Sequence, residues 1–237
     1  MARYVAIIAD GNRRWARKRE LSAQAGHDAA ADTLSARVRD AARLGVEELS
    51  VYVFSTENWW RPSGEIAALM AMLCRRLASE TPGLHEEGVR MRFTGAREGI
   101  STELLEQMDS SQSLTERNDG LTLYMALNYG GRAEIVHAAR CFDAMRVAQA
   151  AEGRRAGPRA LQSSDAEFAG WLYQPEMHDP ELIIRTGGEH RLSNFLLWQS
   201  AYSELVFRDE LWPEFDRGAF EASLSEFNER KRRFGGR

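Results

Sequence analysis

Residues 4–15 read Tyr-Val-Ala-Ile-Ile-Ala-Asp-Gly-Asn-Arg-Arg-Trp: a short apolar run that ends in a turn dipeptide and two arginines. A run this brief and unbroken suits a strand in a helix-covered sheet, because a helix needs about twice the length to bury one stripe. From Asn12 the pattern becomes helical, so the segment is a strand, a turn and a helix start. Runs of the same kind recur at 49–54, 89–93, 121–127 and 182–184, with a sixth at 204–207. Apolar positions three or four apart fill 27–44, 65–86, 102–116, 133–151, 166–173 and 217–232. The alternation predicts an α/β fold, a mostly parallel six-stranded sheet flanked by helices, with residues 1–237 forming one domain.

Hydrophobic residues make up 43% of the chain and charged residues 28%, enough to build a core of ordinary size and to exclude a disordered or fibrous chain. The net charge of -4 gives no overall pull toward nucleic acid and argues against a polybasic membrane anchor. Peripheral membrane contact is the most that is expected. Cys74 and Cys141 lack partners at metal-ligand or disulfide-framework spacing, which predicts a reduced, cytoplasmic protein without structural zinc. The first apolar run is too short for a signal peptide, and no run reaches membrane-spanning length. The stretch 151–164 combines Gly, Pro, Ser and arginines and is expected to be a solvated loop rather than a nucleic-acid patch.

Polar clusters follow directly on several predicted strands, where open parallel sheets place their ligand sites. The first is Asp10 to Trp15. A helix start with Arg14 suits a diphosphate. Asp10 would repel that anion unless it holds Mg2+, an ion that takes one or two carboxylates together with phosphate oxygens. The bland alternative is an Asp N-cap on a basic helix. The second cluster runs from Phe54 to Pro62, with Ser55, Glu57, Asn58 and Arg61 as hydrogen-bonding groups. Phe54 and Trp59 are its candidate walls for an apolar chain, the alternative being a turn with surface-covering indoles. The third, Arg185 to Asn194, sets Arg185, Arg191 and Ser193 around a Gly187-Gly188 turn as a second phosphate grip. Glu204 is a further candidate carboxylate. The absence of GxGxxG, GxxxxGK[ST] and GxSxG counts against dinucleotide, Walker-type and serine-hydrolase chemistry.

Taken together, Asp10-Gly11-Asn12-x-Arg14-Trp15-Ala16, Gly26-His27, Phe54-Ser55-Thr56-Glu57-Asn58-Trp59-x-Arg61-Pro62, Asn128-Tyr129-Gly130-Gly131-Arg132 and Arg185-Thr186-Gly187-Gly188-Glu189-x-Arg191-x-Ser193-Asn194-Phe195 resemble the cis-prenyltransferases. The match runs in the family's order from Val5 to the terminal Arg233-Phe234-Gly235-Gly236. The resemblance implies a magnesium-dependent homodimer with an apolar substrate tunnel, condensing isopentenyl diphosphate with an allylic diphosphate. It implies Asp10, Asn12, His27, Ser55 and Asn58 as catalytic residues. Asn12, Arg14 and Arg61 would surround the allylic diphosphate, with Gly11, Arg13, Trp15, His27, Phe54, Glu57 and Trp59 as further substrate-binding residues. Arg185, Arg191, Ser193 and, across a dimer, Arg233 would hold isopentenyl diphosphate. Asp10 and Glu204 would be the metal ligands.

The chain departs from that pattern at Ala23, where many relatives carry an arginine, and at Arg13, where a glycine is common. Val53 and Leu127 stand where long-chain members have small residues, which predicts a narrowed tunnel and a short to medium product. Ala23 keeps open an alternative reaction, head-to-middle coupling of allylic diphosphates or cyclisation.

Overall fold

A computed structural model describes residues 2–152 and 165–230 of the chain; the expected loop 151–164 and Arg233 therefore fall largely or wholly outside the described residues. Six strands form one sheet: β1 Tyr4–Ile8, β2 Glu48–Ser55, β3 Arg90–Thr94, β4 Thr122–Tyr129, β5 Leu182–Arg185 and β6 Glu204–Phe207. They lie in the order β3-β4-β2-β1-β5-β6, and every pairing is parallel, where a mostly parallel sheet was expected. The motif-bearing strands β2, β1 and β5 are neighbours at the centre. Their C-terminal ends therefore bring all three polar clusters to one edge, where the strand order reverses around β1.

Helix α1 (Asn12–Lys18) follows β1, and α2 (Ala23–Arg43) begins four residues earlier than its periodicity indicated. The reason is a cap: Ser22 Oγ accepts from Ala25 N at 3.1 Å, so the helix starts at the capping residue and not at the first apolar position. Helices α3 (Ser63–Glu86), α4 (Thr102–Thr115), α5 (Gly131–Ala151), the short α6 (Asp165–Ala169) and α7 (Arg217–Glu229) complete the cover. The larger apolar core lies between one sheet face and α2, α3, α4 and α7, and a smaller one around Tyr129, Ile183 and Phe195 fills the other face.

The end of β2 breaks the two-residue alternation. Tyr52 pairs with Ala126 and Phe54 with Leu127, so Val53 and Phe54 together face one residue of β4. This is a β-bulge, which re-aims the side chains beyond it. Asn128, with φ of 51°, takes up a second irregularity opposite Ser55. Its amide donates to Ala96 O at 3.0 Å and Glu98 O at 2.9 Å, while its Oδ1 accepts from Trp59 Nε1 at 2.6 Å. The left-handed conformation is thus held by three bonds.

Candidate active site

Asp10 is fixed through its backbone. Its N–H donates to Thr186 Oγ1 at 2.9 Å, and its carbonyl accepts from Thr186 Oγ1 at 2.8 Å and from Trp212 N at 2.9 Å. Gly11 then turns with φ of 111°, and a Cβ there would lie 2.8 Å from Leu211 Cδ2. Only glycine satisfies both demands. The Asp10 carboxylate accepts from Arg185 Nη2 at 2.8 Å and faces Arg14 Nη2 at 3.3 Å. Arg185 is buried, and its other amino group donates to Ser193 Oγ at 2.6 Å and Arg191 O at 2.5 Å. Gly187 makes room for Arg14, whose Nη2 would lie 2.5 Å from an added Cβ. The first and third clusters are thereby one assembly.

Asp10, Asn12, His27, Ser55, Asn58 and Arg61 line a single cavity of about 170 Å³. Asn12 Oδ1 and His27 Nε2 are buried there without a hydrogen-bond partner. Buried polar atoms are rarely left unpaired, so these two point to a ligand that completes them. The cavity shares Val53, Leu69 and Asn12 with an apolar cavity of about 80 Å³ between α2, α3 and β2. That one shares Ala31, Leu34 and Leu73 with a third, about 50 Å³, reaching Met91 and Leu123. A polar mouth therefore leads into a row of greasy chambers.

Helix α2 can approach the mouth because a Cβ on Gly26 would lie only 2.5 Å from Asn12 O. That close approach sets His27 beside Asn12. Burial, followed by the Arg61 guanidinium, holds the His27 pKa below the ordinary 6.5, while Glu65 pulls the other way. The imidazole is neutral at neutral pH, whereas in the unfolded chain it takes up a proton near 6.5. The unfolded state therefore binds more protons just below pH 6.5, and stability falls as pH drops through that window. In urea titrations from pH 7.5 to 5, the wild-type midpoint should fall more steeply than that of His27→Asn. Parallel profiles would refute the assignment.

Several sequence expectations are corrected. Glu204 stands level with Leu182 and Val5, three residues before the level of Arg185 and Ile8. At ~3.3 Å per residue it is roughly 10 Å below the end of β1 and still further from Asp10. Its carboxylate is taken by Arg230 Nη1 at 2.8 Å, so within one protomer it shares no ion with Asp10. Among the described residues no three His, Cys, Asp or Glu groups could together hold a metal. Phe54 is buried in the core and lines none of the three chambers, because the bulge gives that place to Val53. Trp59 borders an outer groove with Met70 and Gly99, and Leu127 is core. Trp15 carries Arg19 over its ring at 4.6 Å and stands outside the mouth. Two further expectations are not overturned: Arg13 stands at the exposed rim, 3.8 Å from Glu65, and Arg191, paired with Glu189, is exposed beside Arg185.

Two residues have a part in the site that the sequence did not assign them: Glu65, and Asn194, which it showed only as a member of the third cluster. Glu65 lies 3.3 Å from Arg61, 3.8 Å from Arg13 and 3.9 Å from His27, a carboxylate at the centre of the rim. Its place in the first turn of α3, four residues after Arg61, was the available signal. Asn194 donates to Glu57 Oε1 at 2.8 Å and accepts from Arg132 N at 2.8 Å, tying the ends of β2, β4 and β5 together. Exposed Glu57 is thus held by a neighbouring loop, away from the mouth cavity.

A family model described as "Putative undecaprenyl diphosphate synthase" matches residues 8–235. An isoprenyl transferase 2 of Bradyrhizobium diazoefficiens is 45% identical over 98% of this chain and 90% of its own length. A (2E,6E)-farnesyl-diphosphate specific ditrans,polycis-undecaprenyl-diphosphate synthase of Salmonella paratyphi A is 46% identical over 99% of this chain and 90% of its own. Among solved structures, lavandulyl diphosphate synthase from Lavandula x intermedia, in complex with dimethylallyl diphosphate, superposes with a TM-score of 0.91. It is 30% identical and covers 99% of this chain and 98% of its own.

Proposed function

The chain belongs to the undecaprenyl diphosphate synthase family of prenyltransferases, and from that premise we propose that it condenses isopentenyl diphosphate with an allylic diphosphate into a cis-prenyl diphosphate. The carrying observation is the polar mouth with its two unpaired buried atoms opening into the apolar chambers between α2, α3 and β2. In the reaction the allylic carbon–oxygen bond breaks, the isopentenyl double bond attacks the freed carbon, and a proton leaves to form the new cis double bond. The products are a prenyl diphosphate lengthened by five carbons, inorganic diphosphate and a proton.

Arg14 and Arg61 would receive the allylic diphosphate, and Arg185, Arg191 and Ser193 the isopentenyl one. The guanidinium groups meet the negative charge as it develops on the leaving group, in a site partly shielded from water. Neutral His27, with its unpaired Nε2, is the proton acceptor among the mouth side chains. Asn12, Ser55 and Asn58 orient the reactants; Ser55 and Asn58 are themselves positioned by the Ser55 N to Asn58 Oδ1 bond of 3.1 Å. Asp10 would hold Mg2+. A lone carboxylate fits that ion only when diphosphate oxygens and water supply the other ligands, which makes metal binding dependent on substrate. When bound, the ion would neutralise phosphate charge.

Farnesyl diphosphate is the primer we propose, from the specificity named for the 46% identical relative. That relative's undecaprenyl product weighs against a short one, and Leu127 no longer argues for it. Val53, which borders both the mouth and the first apolar chamber, is the residue expected to limit length. A homodimer is proposed from membership of the family alone. No described helix is long and apolar enough to cross a membrane. A single-domain enzyme of the cytoplasm is the proposal, its location resting on two cysteines that form no disulfide.

Purified protein with magnesium, isopentenyl diphosphate and dimethylallyl, geranyl or farnesyl diphosphate should yield cis-lengthened products identified by mass and double-bond geometry. Absence of condensation with every primer would defeat the reading. In the same assay Val53→Ala should shift the distribution upward by one or more five-carbon units, and an unchanged distribution removes Val53 as the limit. A second reaction, coupling of two allylic units, is favoured by Ala23, whose side chain lines the groove beside Arg13 and Arg14 where a further cation would stand. Product formed from dimethylallyl diphosphate alone would establish it.

A further inference from the structure

Trp60 is 90% exposed, the most exposed of the large hydrophobic side chains among the described residues. It closes the 3-10 turn Thr56–Trp60 and directly precedes Arg61, whose guanidinium lies in the mouth. An indole left in water at the entrance of a cavity contributes nothing to the core, and Trp60 forms none of the contacts that build the site. Across the mouth, α1 and the residue after it carry Arg13, Arg14, Arg17, Lys18 and Arg19 with no acid among residues 12–19. On a chain of net charge -4 this is a local reversal of sign. Arg14 and Arg19 are engaged by Asp10 and Glu214, but no ion pair of Arg17 or Lys18 is present among the described residues. Leu21, 47% exposed, lies beside Arg17 in a groove that also holds Glu20, the one acid against three arginines among its lining residues.

We propose that this rim docks on an anionic lipid surface, with the Trp60 indole and Leu21 at headgroup depth and Arg17 and Lys18 against lipid phosphates. Charge complementarity selects the anionic surface, and an exposed indole beside cations is the side-chain chemistry of a membrane–water interface. A single nucleic-acid strand could stack on the indole, but the net charge of -4 opposes a long polyanion, whereas a lipid surface meets only the basic rim. The inference rests on the proposed condensation for its purpose: each five-carbon addition makes the tail less soluble, and a tail leaving by a mouth seated on lipid never crosses water.

The test is flotation of the full chain, without substrates, on phosphatidylcholine vesicles with and without phosphatidylglycerol. Wild type should float with the anionic vesicles only. Trp60→Ser and the pair Arg17→Gln, Lys18→Gln should each lose binding, by about fivefold per cation removed at an anionic surface. Turnover of a short, soluble primer in Trp60→Ser should equal that of wild type. Failure of wild type to float, equal flotation on neutral vesicles, or variants that float like wild type would each overturn the proposal. Condensation measured on the same preparations separates the two readings: turnover without flotation defeats docking alone, and flotation without turnover defeats the reaction alone.

Discussion

Asp10→Asn is expected to lower kcat/KM by about a thousandfold, close to 4 kcal/mol of transition-state stabilisation at ~1.4 kcal/mol per decade. The substitution keeps the shape of the side chain and removes the charge that faces Arg185 at 2.8 Å and Arg14 at 3.3 Å. With that charge gone the proposed Mg2+ loses its protein ligand. The two guanidinium groups also lose the counter-charge that sets their spacing between substrates. The fold should survive, because Arg185 keeps its bonds to Ser193 Oγ and Arg191 O and the Asp10 backbone keeps those to Thr186 and Trp212. Asp10→Ala should be as inactive and less stable, since it leaves a buried cation short of one partner. Far-UV circular dichroism and thermal melting separate the two effects. Retention of more than about a tenth of wild-type kcat/KM by the asparagine variant, or full wild-type activity in a chelator, would remove the metal role.

Gly26→Val carries the second large effect, acting through distance instead of charge. A Cβ at position 26 would sit 2.5 Å from the Asn12 carbonyl oxygen and 3.1 Å from the Ala16 Cβ, so α1 must move away from α2. Backbone cannot yield as a side-chain tip can, and overpacking of this kind costs about 1–3 kcal/mol. The same displacement parts Asn12 from His27, the two residues with unpaired buried atoms that line the same cavity, and a shift of about 1 Å is enough to cost about a hundredfold in rate. Gly83→Ala, also in a helix but with no neighbour nearer than 3.8 Å, is the control and should gain about 0.5–1 kcal/mol. A Gly26→Val enzyme with wild-type melting temperature and rate would show that the close approach of the two helices is dispensable.

These two substitutions mark different depths of legibility. Asp10 stands immediately after the first apolar run, and its chemistry follows from that position, from the turn glycine and from Arg14 four residues on. Gly26 was visible only as part of a motif. Its reason, a helix pressed on another helix's carbonyl, involves residues fourteen apart whose meeting no local period encodes. The same division separates Arg185, at the end of a strand and therefore at the edge shared with Asp10, from Glu204. The latter reads equally well as a site carboxylate until the register of β6 against β5 puts it at the sheet's other end.

Short apolar runs, helical spacing and turn residues are properties of neighbouring positions, so sequence alone determined the six strands, most helices and the collection of Asp10, Ser55, Asn58, Arg61 and Arg185 at the ends of strands. Their order in the sheet, the bulge that gives Val53 and not Phe54 to the channel, and the rim built around Glu65 were decided only in the tertiary structure. Register, strand order and close helix approach are set by packing between segments far apart in the chain. There a shift of one residue exchanges the core-facing and site-facing side chains without altering any local pattern.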